Sequence, residues 1–160
     1  MTKLARLLLT LGVLAAPLPA AAEPLSLNRV KSLLGEMGFK PKPTADEALT
    51  LEGMGSRGAN IFFRPSKNGT ALTIYKAWPI PADKQDKIPG IAMLKANNGY
   101  PFSFALFGEP GERGFDIEKT IDGALVTKAV LRKSIDQMLD MIDSNEQLWD
   151  TESWPITPKD

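Results

Sequence analysis

The chain has 160 residues, 43% of them hydrophobic, with 19 basic and 19 acidic side chains, no histidine and no cysteine. Without imidazole or thiol it can build no Ser-His-Asp triad, cysteine nucleophile, H-E-x-x-H zinc site or haem ligation through those residues. The balanced charge also leaves no basic excess with which to neutralise nucleic-acid phosphates.

The first 22 residues read as a secretory signal peptide. Lys3 and Arg6 form a basic head, Leu7 to Ala16 an apolar run, and Ala20-Ala21-Ala22 an A-x-A cleavage site before Glu23. Pro17 and Pro19 interrupt the run before it reaches the roughly 18 to 20 apolar residues of a membrane span. The expectation is therefore export to a bacterial periplasm and cleavage, with no membrane insertion afterwards. Cleavage leaves 138 residues carrying 17 basic and 19 acidic groups, a net charge of about −2. That length suits one domain, expected over residues 23–150, and without cysteine its stability in an oxidising compartment must come from packing.

Ser26 is placed to cap a first helix, in which Leu27, Val30, Leu33, Leu34 and Met37 recur on one face and Gly38 supplies the stop. Pro41 and Pro43 break the pattern. Three strands follow: one around Leu49 and Leu51, one through Ile61 and Phe63, and one from Thr70 to Trp78, with Ser66-Lys67-Asn68-Gly69 as the turn between the last two. Prolines 79, 81 and 89 lead to a short helix through Ile91, Met93 and Leu94, ended by Asn97, Asn98 and Gly99. Phe102, Phe104 and Leu106 read as a fourth strand and Phe115, Ile117 and Ile121 as a fifth, with Asp116, Glu118 and Thr120 on its other face. Thr127 caps a long amphipathic helix predicted to reach Trp149, and residues 151–160, with Pro155 and Pro158, are expected to be a flexible tail. The sum is an α+β domain of two layers, with an antiparallel five-stranded sheet and helices on one face.

Three stretches carry a resemblance. Val30-Lys31-Ser32-Leu33-Leu34-Gly35-Glu36-Met37-Gly38-Phe39 is similar to an opening helix that ends in a glycine and an aromatic. Ile91-Ala92-Met93-Leu94-Lys95-Ala96-Asn97-Asn98 is similar to a helix ending in asparagines before a strand. Gly123-Ala124-Leu125-Val126-Thr127 precedes the long helix. Together with the element order, these resemble the YbjN family of bacterial proteins, sometimes labelled sensory transduction regulators, whose fold is like that of type III secretion chaperones. The likeness covers roughly residues 25 to 149. The proline-rich passage from Pro79 to Pro89 and the signal peptide depart from it. It implies a domain, dimeric in the family manner, that binds another protein and does no chemistry. No catalytic, cofactor or metal residues carry over.

Several patterns invite sharper readings. Gly53-Met54-Gly55-Ser56-Arg57-Gly58 matches G-x-G-x-x-G, but Ala59 to Phe63 reads as strand where a dinucleotide site needs a helix, so a hairpin loop is expected. Asp116 and Glu118 project from one face of their strand, as do Asp136, Asp140 and Asp143 from one face of the long helix. Solvated surfaces account for both patterns. Asn68-Gly69-Thr70 is explained by its turn rather than by glycosylation.

Strand parity sets the candidate partner surface. If Leu72, Ile74, Phe115 and Ile117 face the helices, then Tyr75, Ala77, Phe62 and Phe107 form an apolar band on the other face, unless segments 40–48 and 79–89 cover it. Trp149 and Trp154, near the C-terminus, are further candidate anchors, although tail tryptophans also fold back onto their own domain. The expected function is that of an exported, non-enzymatic, homodimeric protein-binding module. The alternative is a binder of a small ligand or envelope sugar using Trp78, Tyr100, Asp116 and Glu118. A hydrolase built on those two carboxylates is the third reading.

Overall fold

The computed structural model describes residues 24–154, so the expected signal peptide, residues 1–22, lies outside the described residues. Helix α1 (Leu27–Glu36) starts where Ser26 accepts a hydrogen bond from the Arg29 amide at 3.2 Å. It ends because Gly38 takes a left-handed φ of 87°, which turns the chain and lets the Phe39 amide reach the Leu34 carbonyl at 3.1 Å. Its buried face is Val30, Leu33 and Leu34.

Strands β1 (Lys42–Pro43), β2 (Leu49–Met54), β3 (Ala59–Pro65) and β4 (Ala71–Pro79) follow, then α2 (Gly90–Asn97), β5 (Ser103–Phe107) and β6 (Gly114–Asp122). The described residues form one antiparallel sheet in the order β1-β2-β3-β4-β6-β5. It has six strands rather than the expected five. The extra one, β1, pairs Lys42 with Thr50 and Pro43 with Leu49. The prolines that read as a break hold the backbone extended, and a residue without an N–H can still occupy a sheet edge. The Gly53–Gly58 loop joins β2 to β3 as a hairpin, so the dinucleotide geometry is absent and the hairpin reading stands.

Helix α3 (Lys128–Ser144) is capped by Thr127, whose Oγ1 accepts from the Val130 amide at 3.3 Å. It lays Leu131, Ile135, Met138 and Ile142 beside α1 on one face of the sheet, over Ile61, Phe63, Leu72, Ile74, Phe115 and Ile117. Burying each such side chain contributes about 1.5–3 kcal/mol, which lets a disulfide-free domain stand on packing. The helix stops five residues short of the expected Trp149. Asn145 leaves helical geometry and donates its carboxamide to the Met141 carbonyl at 2.9 Å, and a separate turn, α4 (Glu146–Trp149), follows.

The tail also differs from expectation as far as it is described. Residues Thr151–Ser153 form a 3-10 turn and Trp154 is only 3% exposed, packed in the core. Residues 155–160 lie outside the described part.

Candidate protein-binding face

Strand alternation divides β4 and β6 cleanly. Leu72, Ile74 and Trp78 of β4 and Phe115, Ile117 and Ile121 of β6 point to the helices, leaving Thr73, Tyr75, Ala77, Asp116 and Glu118 on the outer face. The ladder aligns that face into rows. One row runs Phe62, Tyr75, Glu118, Ser103; the next centres on Ala77, Asp116, Ala105; the third ends at Gly114 and Phe107.

The rows enclose a shallow hollow of about 530 Å³, to which segment 40–48 contributes Asp46 and segment 79–89 contributes nothing. Among the described residues, neither segment closes over the hollow. Phe62 and Tyr75 stack at 5.2 Å, and Arg64 lies over the Tyr75 ring at 4.7 Å while donating to its hydroxyl at 2.5 Å. On the opposite rim Phe107, 46% exposed, lies across Gly114, where a Cβ would come within 2.3 Å of its ring. Only glycine permits that ring position.

Asp116 stands on the floor between Ala77 and Ala105. Its Oδ1 is shut off from solvent and receives no hydrogen bond from the described residues. Burial, reinforced by the charge of Glu118, pushes its carboxyl from an ordinary 3.8 up to about 6. The folded protein thus holds a proton that the unfolded chain has released between pH 3.8 and 6, so stability rises as pH falls through that window. Above it, the ionised group costs stability. Such a rise would correspond to about 3 kcal/mol for a fully sequestered group, and solvent screening of this partly exposed one reduces that to roughly 1 kcal/mol. Asp116→Asn should therefore stabilise the protein by about 1 kcal/mol at pH 7.5 and by little at pH 4, as read from urea melts at the two pH values. Equal effects at both would contradict this origin of the shift.

Of the five residues singled out in the sequence, the structure brings Phe62, Tyr75 and Phe107 together on the outer face. It places the two tryptophans elsewhere. Trp149 is half-buried, stacked on Trp78 at 5.6 Å, with its indole N–H donated to the Ile142 carbonyl at 2.6 Å. Trp154 packs against Phe115 at 5.9 Å. Both serve the core, because the chain turns back at Asp150 instead of trailing away. The ligand-binding alternative also loses its geometry. Trp78 lies on the helix side, stacked between Phe115 and Trp149, whereas Asp116 and Glu118 face the other way.

A second surface escaped the sequence reading. Helix α2 turns Met93 inward but leaves Ile91 75% and Leu94 67% exposed, beside Leu106 at 51% on β5. Leu94 and Leu106 line an apolar hollow of about 240 Å³ between α2 and β5. The signal was present: Ile91 and Leu94 at i and i+3, with Met93 and Ala96 opposite, give a short helix two apolar faces. The two sheet edges also differ. β1 is two residues long and carries Pro43, a blunted edge, whereas β5 is a full edge strand. Asn97 occupies part of it, accepting from the Phe104 amide at 2.6 Å and donating to its carbonyl at 3.2 Å. Leu106, two residues on, presents its backbone outward in the same direction.

No protein-family model and no curated protein sequence matches the chain. Solved structures do. YbjN from E. coli is 11% identical, with the match covering 82% of this chain and 96% of that one at a TM-score of 0.57. The Yersinia pestis type III secretion chaperone SycH, in complex with a stable fragment of YscM2, is 10% identical over 74% of this chain and 97% of its own, TM-score 0.52. A chain of the ExsC–ExsE complex is 14% identical over 76% and 92%, TM-score 0.52. The architecture is thus the chaperone-like α+β fold that YbjN and the type III secretion chaperones share, as the sequence resemblance implied.

Proposed function

We propose that this is an exported, non-enzymatic protein-binding module of chaperone-like or regulatory type, which engages its partner through the outer face of the sheet. The observation that carries the reading is the uncovered hollow rimmed by Phe62, Tyr75 and Phe107. A monomeric domain gains nothing from leaving aromatic rings on an open sheet face, and such patches mark interaction surfaces. Solved proteins of the same fold, SycH among them, occur in complexes with protein partners, which supports the same role here. The missing imidazole and thiol groups support the non-enzymatic part, and the first 22 residues support a periplasmic location.

The test is site-specific photocrosslinking in the periplasm, with p-benzoylphenylalanine at Tyr75 and, as a control on the helix layer, at Lys133. A discrete protein adduct from Tyr75 alone is expected; adducts only from Lys133, or from neither, would overturn the face assignment. Recovered protein should begin at Glu23.

The homodimer is part of the proposal, and the strip of Ile91, Leu94 and Leu106 beside the β5 edge is where a second copy fits. Two such strips meeting about a two-fold axis cover each other's apolar side chains. Leu94→Glu should then shift the protein from dimer to monomer in sedimentation equilibrium, weakening association at least about tenfold because it drives a carboxylate into an apolar contact. A wild-type monomer at high micromolar concentration would remove this part of the proposal.

A further inference from the structure

The floor of the outer-face hollow has a chemistry of its own. Ala77 and Ala105 flank Asp116 in the ladder, and Glu118 lies one row away beside Tyr75. The small Ala77 beside Asp116, with aromatic rings on two sides, leaves this shallow pit open at its centre. The nearest outer-face cation is already committed, since the Arg64 guanidinium stands over Tyr75 and bonds its hydroxyl. Three carboxylates, Asp46, Asp116 and Glu118, line the hollow against that one outer-face guanidinium.

Resting on the protein-binding reading above, we propose that this pit receives a lysine or arginine side chain from an extended segment of the partner. Charge complementarity selects a cation. The walls then decide what kind. A free divalent metal ion asks for six to eight oxygen ligands, and no group of three acidic side chains placed to hold one occurs among the described residues. A basic side chain asks for one carboxylate at its tip, apolar surface along its stem and, where present, an aromatic face beside its charge. Ala77 supplies apolar surface for the stem, Phe107 an open ring, and the Asp116 carboxylate, which lines the hollow with Glu118 and Asp46, the negative charge. The partner's flanking apolar residues would lie along the Phe62–Tyr75 row. Glu118, nearer the rim, adds attraction without being sequestered.

The experiment titrates the exported, nitrogen-15-labelled protein with two capped peptides, acetyl-Leu-Arg-Leu-amide and its citrulline twin, which has the same shape without the charge. Amide shifts should gather at Ala77, Ala105 and Asp116, with the arginine peptide binding about tenfold tighter, the size of a partly desolvated charge pair. Asp116→Asn should abolish that preference, and so should Ala77→Leu, which fills the pit without touching charge; Glu118→Gln should retain most of it. Equal affinity of the two peptides on this face would overturn the cation site while leaving the protein-binding reading intact. Shifts elsewhere, or no binding of either peptide, would also overturn it, and the Tyr75 crosslink reports on the broader reading independently.

Discussion

Replacing Phe115 with alanine should lower the stability of this protein by about 4 kcal/mol, the upper part of the range for a fully buried aromatic. Phe115 has no exposed surface and stands where three other rings converge: Trp78 at 5.3 Å, Phe104 at 6.2 Å and Trp154 at 5.9 Å. Its removal leaves a cavity beneath large, flat neighbours that cannot collapse into it, and it cuts the contact between the sheet and the C-terminal turn. At this chain length the loss amounts to a fall in Tm of roughly 12 °C. Phe107→Ala is the control, since that ring is 46% exposed and its loss should cost well under about 1 kcal/mol. Chemical denaturation of both variants checks the pair, and a Phe115→Ala loss no larger than that of Phe107→Ala would refute the account of the core.

The second large effect is expected from Lys84→Met. Lys84 is 5% exposed, and its ammonium donates to the carbonyls of Thr151 at 2.6 Å, Glu152 at 3.3 Å and Trp154 at 3.3 Å. Three donors thus meet three acceptors, which is how a lysine can be buried without a carboxylate partner. The bond set ties the Pro79–Pro89 passage to the end of the domain and holds Trp154 in place. Methionine preserves the stem but leaves three carbonyls facing an apolar side chain, so the turn should detach to reach water. The expected loss is about 2–3 kcal/mol. It should be accompanied by a red shift of tryptophan emission and by faster amide exchange over residues 151–154. A variant that kept native emission and lost under about 0.5 kcal/mol would show that the turn is held by its aromatic packing alone.

How far the fold was legible follows from what each element depends on. Helices α1 and α3 could be read from local pattern because a 3.6-residue apolar stripe and a capping hydroxyl are properties of consecutive residues, and Ser26 and Thr127 cap as expected. The meander of β2, β3 and β4 was legible from alternation and turn chemistry, and with it the placement of Phe62 and Tyr75 opposite the helices, while that of Phe107 followed from the alternation of β5. Strand β1 was not legible, since two residues carry no period and only pairing with Thr50 and Leu49 makes them a strand. The end of α3 depended on one asparagine choosing the Met141 carbonyl over continued helix.

The site divides the same way. That Asp116 and Glu118 share a face is a matter of strand period; that Asp116 lies between two alanines and is desolvated depends on the register of three strands, two of them distant in sequence. Trp149 and Trp154 look alike as sequence, aromatic residues near a chain end, and only the turn at Asp150 and the buried Lys84 decide that they belong to the core.

What the sequence determined by itself is whatever neighbouring residues settle among themselves: the excluded chemistries, the two amphipathic helices and the alternating strands. What only the tertiary structure decided is which surfaces are left over once those elements pack. The outer hollow, the apolar strip of α2 and the clamp at Lys84 each arise from residues dozens of positions apart, and burial and desolvation are properties of the assembled neighbourhood, which no local period encodes.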